Sequence, residues 1–288
     1  MTGNNSRARY FNFRSAFEFI GSCGYTIVEL LVVLAIAAIA TTAIYKFFPA
    51  NQKISMVQDQ IAEMQQQLRA SMAVMSREVK MAGYDPRKAC DNVFSKAEAG
   101  QISFTLDSDS DGDCTDDPND NITYFVEACC KDDCTGACKD NCTGSCKMCL
   151  KRSTTSSTQT IAENVEAAGF AYAFDDDGDG QLDKDPSGSG VMWAIDSNSD
   201  SSLDQNLDTN HDGEVDNNDV TTQEPMTSTV TFDKIRAVKI WILIHTNRAD
   251  KDYSNSNTFV VANQRIAAND NCRRRLITTT IHLRNLGL

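Results

Sequence analysis

The sequence predicts an α+β fold: a long N-terminal helix, transmembrane in its first half, packed on an antiparallel β-sheet head with Asp-rich and Cys-rich loop insertions. Three observations carry this expectation. An apolar run from Tyr25 to Tyr45 passes into a stripe of apolar residues at steps of three and four. Five later segments are rich in Ile, Val, Thr, Phe and Tyr. The remaining chain gathers its Asp and Cys into separate stretches.

The first element begins behind a polar, mildly basic leader, with Arg7, Arg9 and Arg14 against Glu18. The run from Tyr25 to Tyr45 is long enough to cross a bilayer as a helix. The positive leader keeps the N-terminus cytoplasmic and sends the rest out. Glu29 does not suit an ordinary span, because a carboxylate in hydrocarbon costs a few kcal/mol and needs a partner. A secretory signal places its cleavage site after the apolar run. Here the candidate site, Gly24, lies before it.

That arrangement resembles the type IV prepilin signature. The resemblance implies that a prepilin peptidase cuts after Gly24 and that the new N-terminal residue, Tyr25, is N-methylated. It further implies that Glu29 neutralises the terminal amine of a neighbouring subunit during assembly. Tyr25 stands where the family more often has Phe, and keeps the aromatic ring. The implied division is a cleaved leader over 1–24, a membrane and filament-core helix over 25–48, its amphipathic continuation over 49–84, and a head over 85–288.

In the continuation, Ile54, Val57, Ile61, Met64, Leu68, Met72, Met75 and Val79 form one apolar face, with Gln, Lys and Arg opposite. Pro49 is expected to kink or loosen the helix, and the Gly83-Tyr84-Asp85-Pro86 turn to end it after roughly 55 to 60 residues. The expected strands are Gln101–Leu106, Asn121–Val126, Val165–Phe174, Val238–His245 and Leu276–Leu283.

Three stretches resemble the PilW-like minor pilins, which are related to the J-type pseudopilins of type II secretion. They are the run from Leu68 to Pro86, the segment Ile161-Ala162-Glu163-Asn164-Val165, and the terminal Arg-Arg…Leu-Arg-Asn run. The Asp-rich and Cys-rich stretches lie outside this resemblance.

The formal net charge is −13, which argues against nucleic acid as a partner, since phosphate backbones require clustered Lys and Arg. Twenty aspartates fall within residues 107–120 and 175–219. Hard cations want six to eight oxygens. The segment Asp208 to Asp219 fits a twelve-residue calcium loop. Asp208, Asn210 and Asp212 supply its first ligands and Gly213 its sharp turn. Glu214 gives a backbone carbonyl, Val215 anchors the loop, and Asp216 and Asp219 complete it. Asp175, Asp177, Asp179, Gly180, Leu182 and Asp183 repeat the spacing, although Pro186 holds the closing position. Asp107, Asp109, Asp111 and Gly112 form a third candidate. Asp196, Asn198, Asp200 and Asp204 form a fourth that lacks the Gly. Calcium is therefore the expected cofactor.

Of eleven Cys, Cys23 leaves with the leader. Cys129, Cys130, Cys134, Cys138, Cys142, Cys146 and Cys149 form the insertion over 129–149, and Cys90, Cys114 and Cys272 lie apart. In an exported protein these ten read as disulfide partners whose connectivity the sequence leaves open. The alternative is a thiolate site for zinc or an iron–sulfur cluster, which export before loading disfavours.

No Gly-x-Ser-x-Gly elbow, phosphate loop or dinucleotide fingerprint occurs, and His211, His245 and His282 are scattered. The expectation is a structural protein, not an enzyme. It is a minor pilin that primes or caps a type IV pilus, stored in the inner membrane and then displayed at the cell surface. Its partners are other minor pilins, the major pilin and the prepilin peptidase/methyltransferase. A pseudopilin of a type II secretion tip is the runner-up, and a tip adhesin the reading from another class.

Overall fold

The computed structural model describes residues 24–88, 90, 92–129, 147–186, 190–219 and 224–287. The leader before Gly24 lies outside them, as do Cys130, Cys134, Cys138, Cys142 and Cys146. The chain divides into two compact units, one up to Ile54 and the other from Ser55 onward.

Helix α1 runs from Ile27 to Val79, 53 residues, slightly shorter than expected. It continues through Pro49, whose missing N–H costs one helical bond without ending the helix. Every residue from Gly24 to Gln52 is exposed, and the helix is long and apolar enough to cross a membrane. In the second unit its apolar stripe closes inward: Met64, Leu68, Met72, Met75 and Val79 are buried in the head core. Past Val79 the chain turns at Gly83, which has φ 69° and whose N–H reaches Thr105 O at 2.9 Å.

The head contains two main antiparallel sheets. The first is a meander of β1 (Phe94–Ala97), β2 (Gln101–Thr105), β3 (Asn121–Ala128), β4 (Met148–Ser153) and β5 (Thr158–Glu163) in chain order. Asn164, in the left-handed region at φ 56°, passes the chain directly into the second sheet. That sheet contains β6 (Val165–Phe174), β7 (Ala194–Ile195), β8 (Ser202–Asn206), β9 (Glu224–Thr231), β10 (Ile235–His245) and β13 (Arg274–His282). Its spatial order is β13-β10-β6-β7-β8-β9.

β10, second from the β13 edge, pairs with β6 on one side and β13 on the other and is buried from Ala237 to His245. A strand buried on both faces reads as a continuous apolar run, which is why Val238-Lys239-Ile240-Trp241-Ile242-Leu243-Ile244 is so uniform. Hairpin β11 (Thr258–Val261) and β12 (Gln264–Ala267) lies over β6 at Gly169. There a Cβ would meet Ala262 Cβ at 2.8 Å.

All five expected strands fall on observed ones. The second half of α1 is fastened to the first sheet by polar contacts as well as packing. Glu78 pairs with Arg152 of β4 and accepts from the Tyr124 hydroxyl of β3. Gln67 Oε1 accepts from Glu163 N at 3.2 Å.

Candidate functional site

At the N-terminal end, Thr26 precedes the first helical residue, and its N–H donates to Glu29 Oε2 at 3.4 Å. Glu29 N–H donates back to Thr26 Oγ1 at 3.2 Å. This is a reciprocal capping box. It gives the Glu29 carboxylate a partner at the positive end of the helix dipole. Gly24 and Tyr25 lie just outside the helix and are exposed.

In the head, the acidic stretches fold into four loops built on one hydrogen-bond template. Each begins on a buried aspartate: Asp107, Asp175, Asp196 and Asp208 are all at most 4 % exposed. The N–H of the sixth residue donates to that first carboxylate. The donors are Gly112, Gly180 and Ser201 at 3.1 Å each, and Gly213 at 2.6 Å. The N–H of the fifth residue donates to the third side chain, at 3.1 Å for Asp109 and 3.0 Å for Asp177, Asn198 and Asn210. The N–H of the seventh donates to the fifth, at 2.8 Å for Asp111, 2.7 Å for Asp179, 3.0 Å for Asp200 and 2.8 Å for Asp212.

A distal aspartate closes each loop by accepting from the second residue. The closures are Asp120 from Ser108 at 3.0 Å, Asp183 from Asp176 at 3.0 Å, Asp204 from Ser197 at 2.8 Å, and Asp219 from Thr209 at 2.8 Å. The fourth and sixth positions are left-handed throughout, including Ser110, Ser199, Ser201 and His211 at φ between 61° and 71°. These single left-handed residues turn the chain so that successive carboxylates face one centre.

In two loops the carboxylates already converge. One oxygen from each of Asp107, Asp109 and Asp111 lies within 4.8 Å of the others, and the same holds for Asp175, Asp177 and Asp183. In the loop from Asp208, Asn210 takes the third position, and its amide donates to Asp212 at 3.0 Å. Asp219 accepts from Thr209 and from Asp216 N at 2.7 Å, and Asp216 accepts from Asn218 N at 2.6 Å. The side chain of Glu214 reaches Lys239.

Crowding shows in the titration behaviour. Burial pushes the Asp208 carboxyl up, although the N–H groups of Gly213 and Asp212 pull it down. Burial likewise raises Asp183, with Asp177 and Asp175 adding repulsion. Asp109 is held low by the Asp111 N–H, yet desolvation and neighbouring Asp111, Asp117 and Asp107 leave it raised. Asp175 goes the other way: burial raises it, but the N–H groups of Gly178 and Gly180 and the Arg236 charge hold it below the usual range. A divalent cation relieves this kind of repulsion and satisfies several carboxylates at once.

The loop from Asp208 is tied to the sheet. Trp193 Nε1 donates to Gly213 O at 3.1 Å. Lys239 Nζ pairs with Glu214 Oε2 at 3.3 Å and lies 5.0 Å from the Trp193 ring and 5.5 Å from the Trp241 ring. Gly190 lies against Gly213 so closely that a Cβ would fall 2.2 Å from Gly213 N.

Sequence reasoning missed Trp193, Lys239 and the closing role of Asp120. Asp120 comes two residues later than a twelve-residue loop would place it, and its only signal was its place among the clustered aspartates. His211, noted in the sequence only as one of three scattered histidines, contacts Asp185 at 2.8 Å.

Cys90 bonds to Cys114 and Cys129 to Cys149, and Cys272 is disulfide-bonded as well. The second bridge closes the β3–β4 hairpin at the neck of the Cys-rich insertion, where Glu127 faces Cys149 and Ala128 faces Met148.

Two family models match the chain. The prokaryotic N-terminal methylation motif covers residues 21–45, and type IV pilus-assembly protein W covers residues 123–285. Among curated proteins none matches the chain. Among solved structures, a type IV-like pilin from Thermus thermophilus is similar at a TM-score of 0.36 and 13 % identity, over 77 % of this chain and 97 % of that one. A pilus-assembly match over more than half the sequence, joined to a methylation motif on an exposed apolar helix, means that the chain belongs to the PilW family of type IV minor pilins.

Proposed function

We propose that this chain is a minor pilin that primes assembly of, or caps, a type IV pilus. It is stored in the inner membrane as a single-pass protein with its head exported, and then reaches the cell surface within the filament. A prepilin peptidase/methyltransferase cuts after Gly24 and methylates Tyr25. Glu29 then exchanges its capping partner for the terminal amine of a neighbouring pilin, major or minor. The role is structural rather than catalytic, and the head is ordered by calcium in its acidic loops.

The observation that carries this reading is the methylation motif on a helix whose apolar first half is exposed from Gly24 to Gln52. The test is deletion of the chain, with pili counted by electron microscopy. Loss of pili, restored by the intact chain and not by Glu29→Leu, supports priming. Normal pili with failed protein secretion point to a type II filament, and normal pili with lost attachment to an adhesin.

The calcium part is tested by melting the purified chain with and without the ion. A site filled at ten times its Kd stabilises by about 1.4 kcal/mol. Asp208→Ala should remove about one site's share of the calcium-induced shift. No shift with the intact chain would sink the calcium reading and leave the pilin reading untouched.

A further inference from the structure

The four acidic loops differ in how their eighth residue is anchored. In three of them it is an apolar side chain set against the head core: Leu182, half-buried; Leu203, fully buried; and Val215, 7 % exposed. In the first loop it is Cys114, 9 % exposed, whose sulfur is bonded to Cys90. We propose that the Cys90–Cys114 disulfide is a reducible latch that takes the place of the aliphatic anchor and holds the 107–120 loop in its folded form. The part of this that concerns cation affinity rests on the calcium reading above; the latch itself does not.

The partner segment is built to receive the loop. Tyr84 O accepts from Asp107 N at 2.7 Å. Arg87 Nη1 donates to Asp111 O. Asp85 caps the turn, accepting from Arg87 N at 3.0 Å and from Cys90 N at 2.7 Å. These contacts fix the start of the loop, from Asp107 to Asp111. Beyond Gly112, the disulfide joins the loop to this turn.

The bridge is also within reach of a reagent. A cavity of about 240 Å³ opens beside it, lined by Tyr84, Lys88, Cys90, Cys114 and Leu286.

The chemistry is ordinary exchange with a dithiol. A thiolate of the dithiol attacks Cys90 Sγ, the Cys90–Cys114 bond breaks, and Cys114 leaves as a thiolate that takes up a proton. The second thiol then closes on the mixed disulfide and releases Cys90 as a thiol. Two electrons have passed to the protein, and the dithiol ends as its own disulfide.

The experiment is amide hydrogen exchange on the full chain in detergent micelles. It compares the oxidised protein, the protein treated with dithiothreitol, and a Cys90→Ser/Cys114→Ser double variant that leaves the other bridges intact. In calcium-free buffer, amides of 107–120 should exchange about tenfold faster in the double variant while those of 208–219 stay unchanged. Equal exchange at 107–120 in the oxidised protein and the double variant overturns the latch.

With calcium added, the oxidised protein should be protected at both loops and the double variant at 208–219 alone. Equal calcium protection of 107–120 in both also overturns the latch. Calcium protection at neither loop, in any form, overturns the cation reading instead, and the calcium-free comparison then decides the latch by itself.

Discussion

Glu78, in the last turns of α1, and Arg152, on β4, form an ion pair at 2.8 Å across the helix–sheet boundary, with their side chains 15 % and 12 % exposed. The Tyr124 hydroxyl donates to the same carboxylate, and burial first, then Glu78, pushes its proton affinity far above the ordinary range. Removing Glu78 strands a guanidinium and a hydroxyl together. Glu78→Ala should therefore cost about 3 kcal/mol, and Glu78→Gln, which keeps an acceptor, about 1 kcal/mol. Urea unfolding of the purified chain measures both, and equal losses would mean that the charge adds nothing beyond the hydrogen bond.

The contact between Gly190 and Gly213 is backbone on backbone. A methyl at Gly190 has no flexible side chain to push aside, because it would meet Gly213 N, Gly213 Cα and the Asp212 carbonyl carbon within 2.7 Å. Gly190→Ala should cost about 2 kcal/mol or more and weaken, in a titration, the calcium binding proposed for the Asp208 loop. Gly100, with open space around its Cβ position, provides the control: Gly100→Ala should stay within about 0.5 kcal/mol.

Lys239 is a charge in the middle of the buried strand β10, yet its ion pair is lopsided. The Lys239 side chain is 8 % exposed, and that of Glu214 is 74 % exposed. Because water can take over Glu214 when the pair is broken, Lys239→Met should change stability by no more than about 1 kcal/mol in either direction. Its signature should be optical. The chain has two tryptophans, and the Lys239 ammonium lies over both rings, so the emission maximum should move in the variant. A loss of several kcal/mol would show that the ammonium is a structural keystone.

The pH dependence should be bell-shaped without calcium. Asp208 and Asp183 are raised above 3.8 by burial first. The folded chain thus holds their protons more tightly than the unfolded one, and stability falls as pH rises through their raised values. Asp270 behaves oppositely: hydrogen bonds from Arg274 hold it below 3.8, so its contribution is present above 3.8 and is lost as pH falls through the folded value. Melting curves in cation-free buffer should peak in the mildly acidic range. Added calcium should shift the peak toward neutrality, because the ion needs the carboxylates deprotonated. A cation-free melting temperature that climbs steadily to pH 7 would count against crowding in the loops.

Legibility of the fold followed burial. β6 and β10 stood out because their apolar and aromatic runs are buried on both faces of the second sheet, and β13 because of its β-branched run, although it is a half-exposed edge. β4 and β5, written Met-Cys-Leu-Lys-Arg-Ser and Thr-Gln-Thr-Ile-Ala-Glu, are half-exposed and polar and carry no such run. β9 is an exposed edge that begins Glu-Pro. The acidic loops were legible by spacing, and the one from Asp196 folds on the same hydrogen-bond template without the glycine. Ser201 adopts the left-handed turn at φ 71°, a cost that the surrounding bonds to Asp196 offset. The pairing of Cys90 with Cys114 was not legible, because it depends on the Gly83 turn bringing residue 90 beside a loop that begins seventeen residues later, at Asp107.

The Cys129–Cys149 bridge sets the β3–β4 register at the neck of the insertion, next to the Cys129 N–H bond to Lys147 O at 2.9 Å. A covalent ring at that point isolates the meander from whatever the hairpin carries at its tip. Changes in the length or content of the tip are not transmitted to the strands, because the ends that enter the sheet are already fixed to one another. The neck thus works as a socket. A foreign peptide inserted beyond the neck should therefore leave the β3–β4 alignment unchanged.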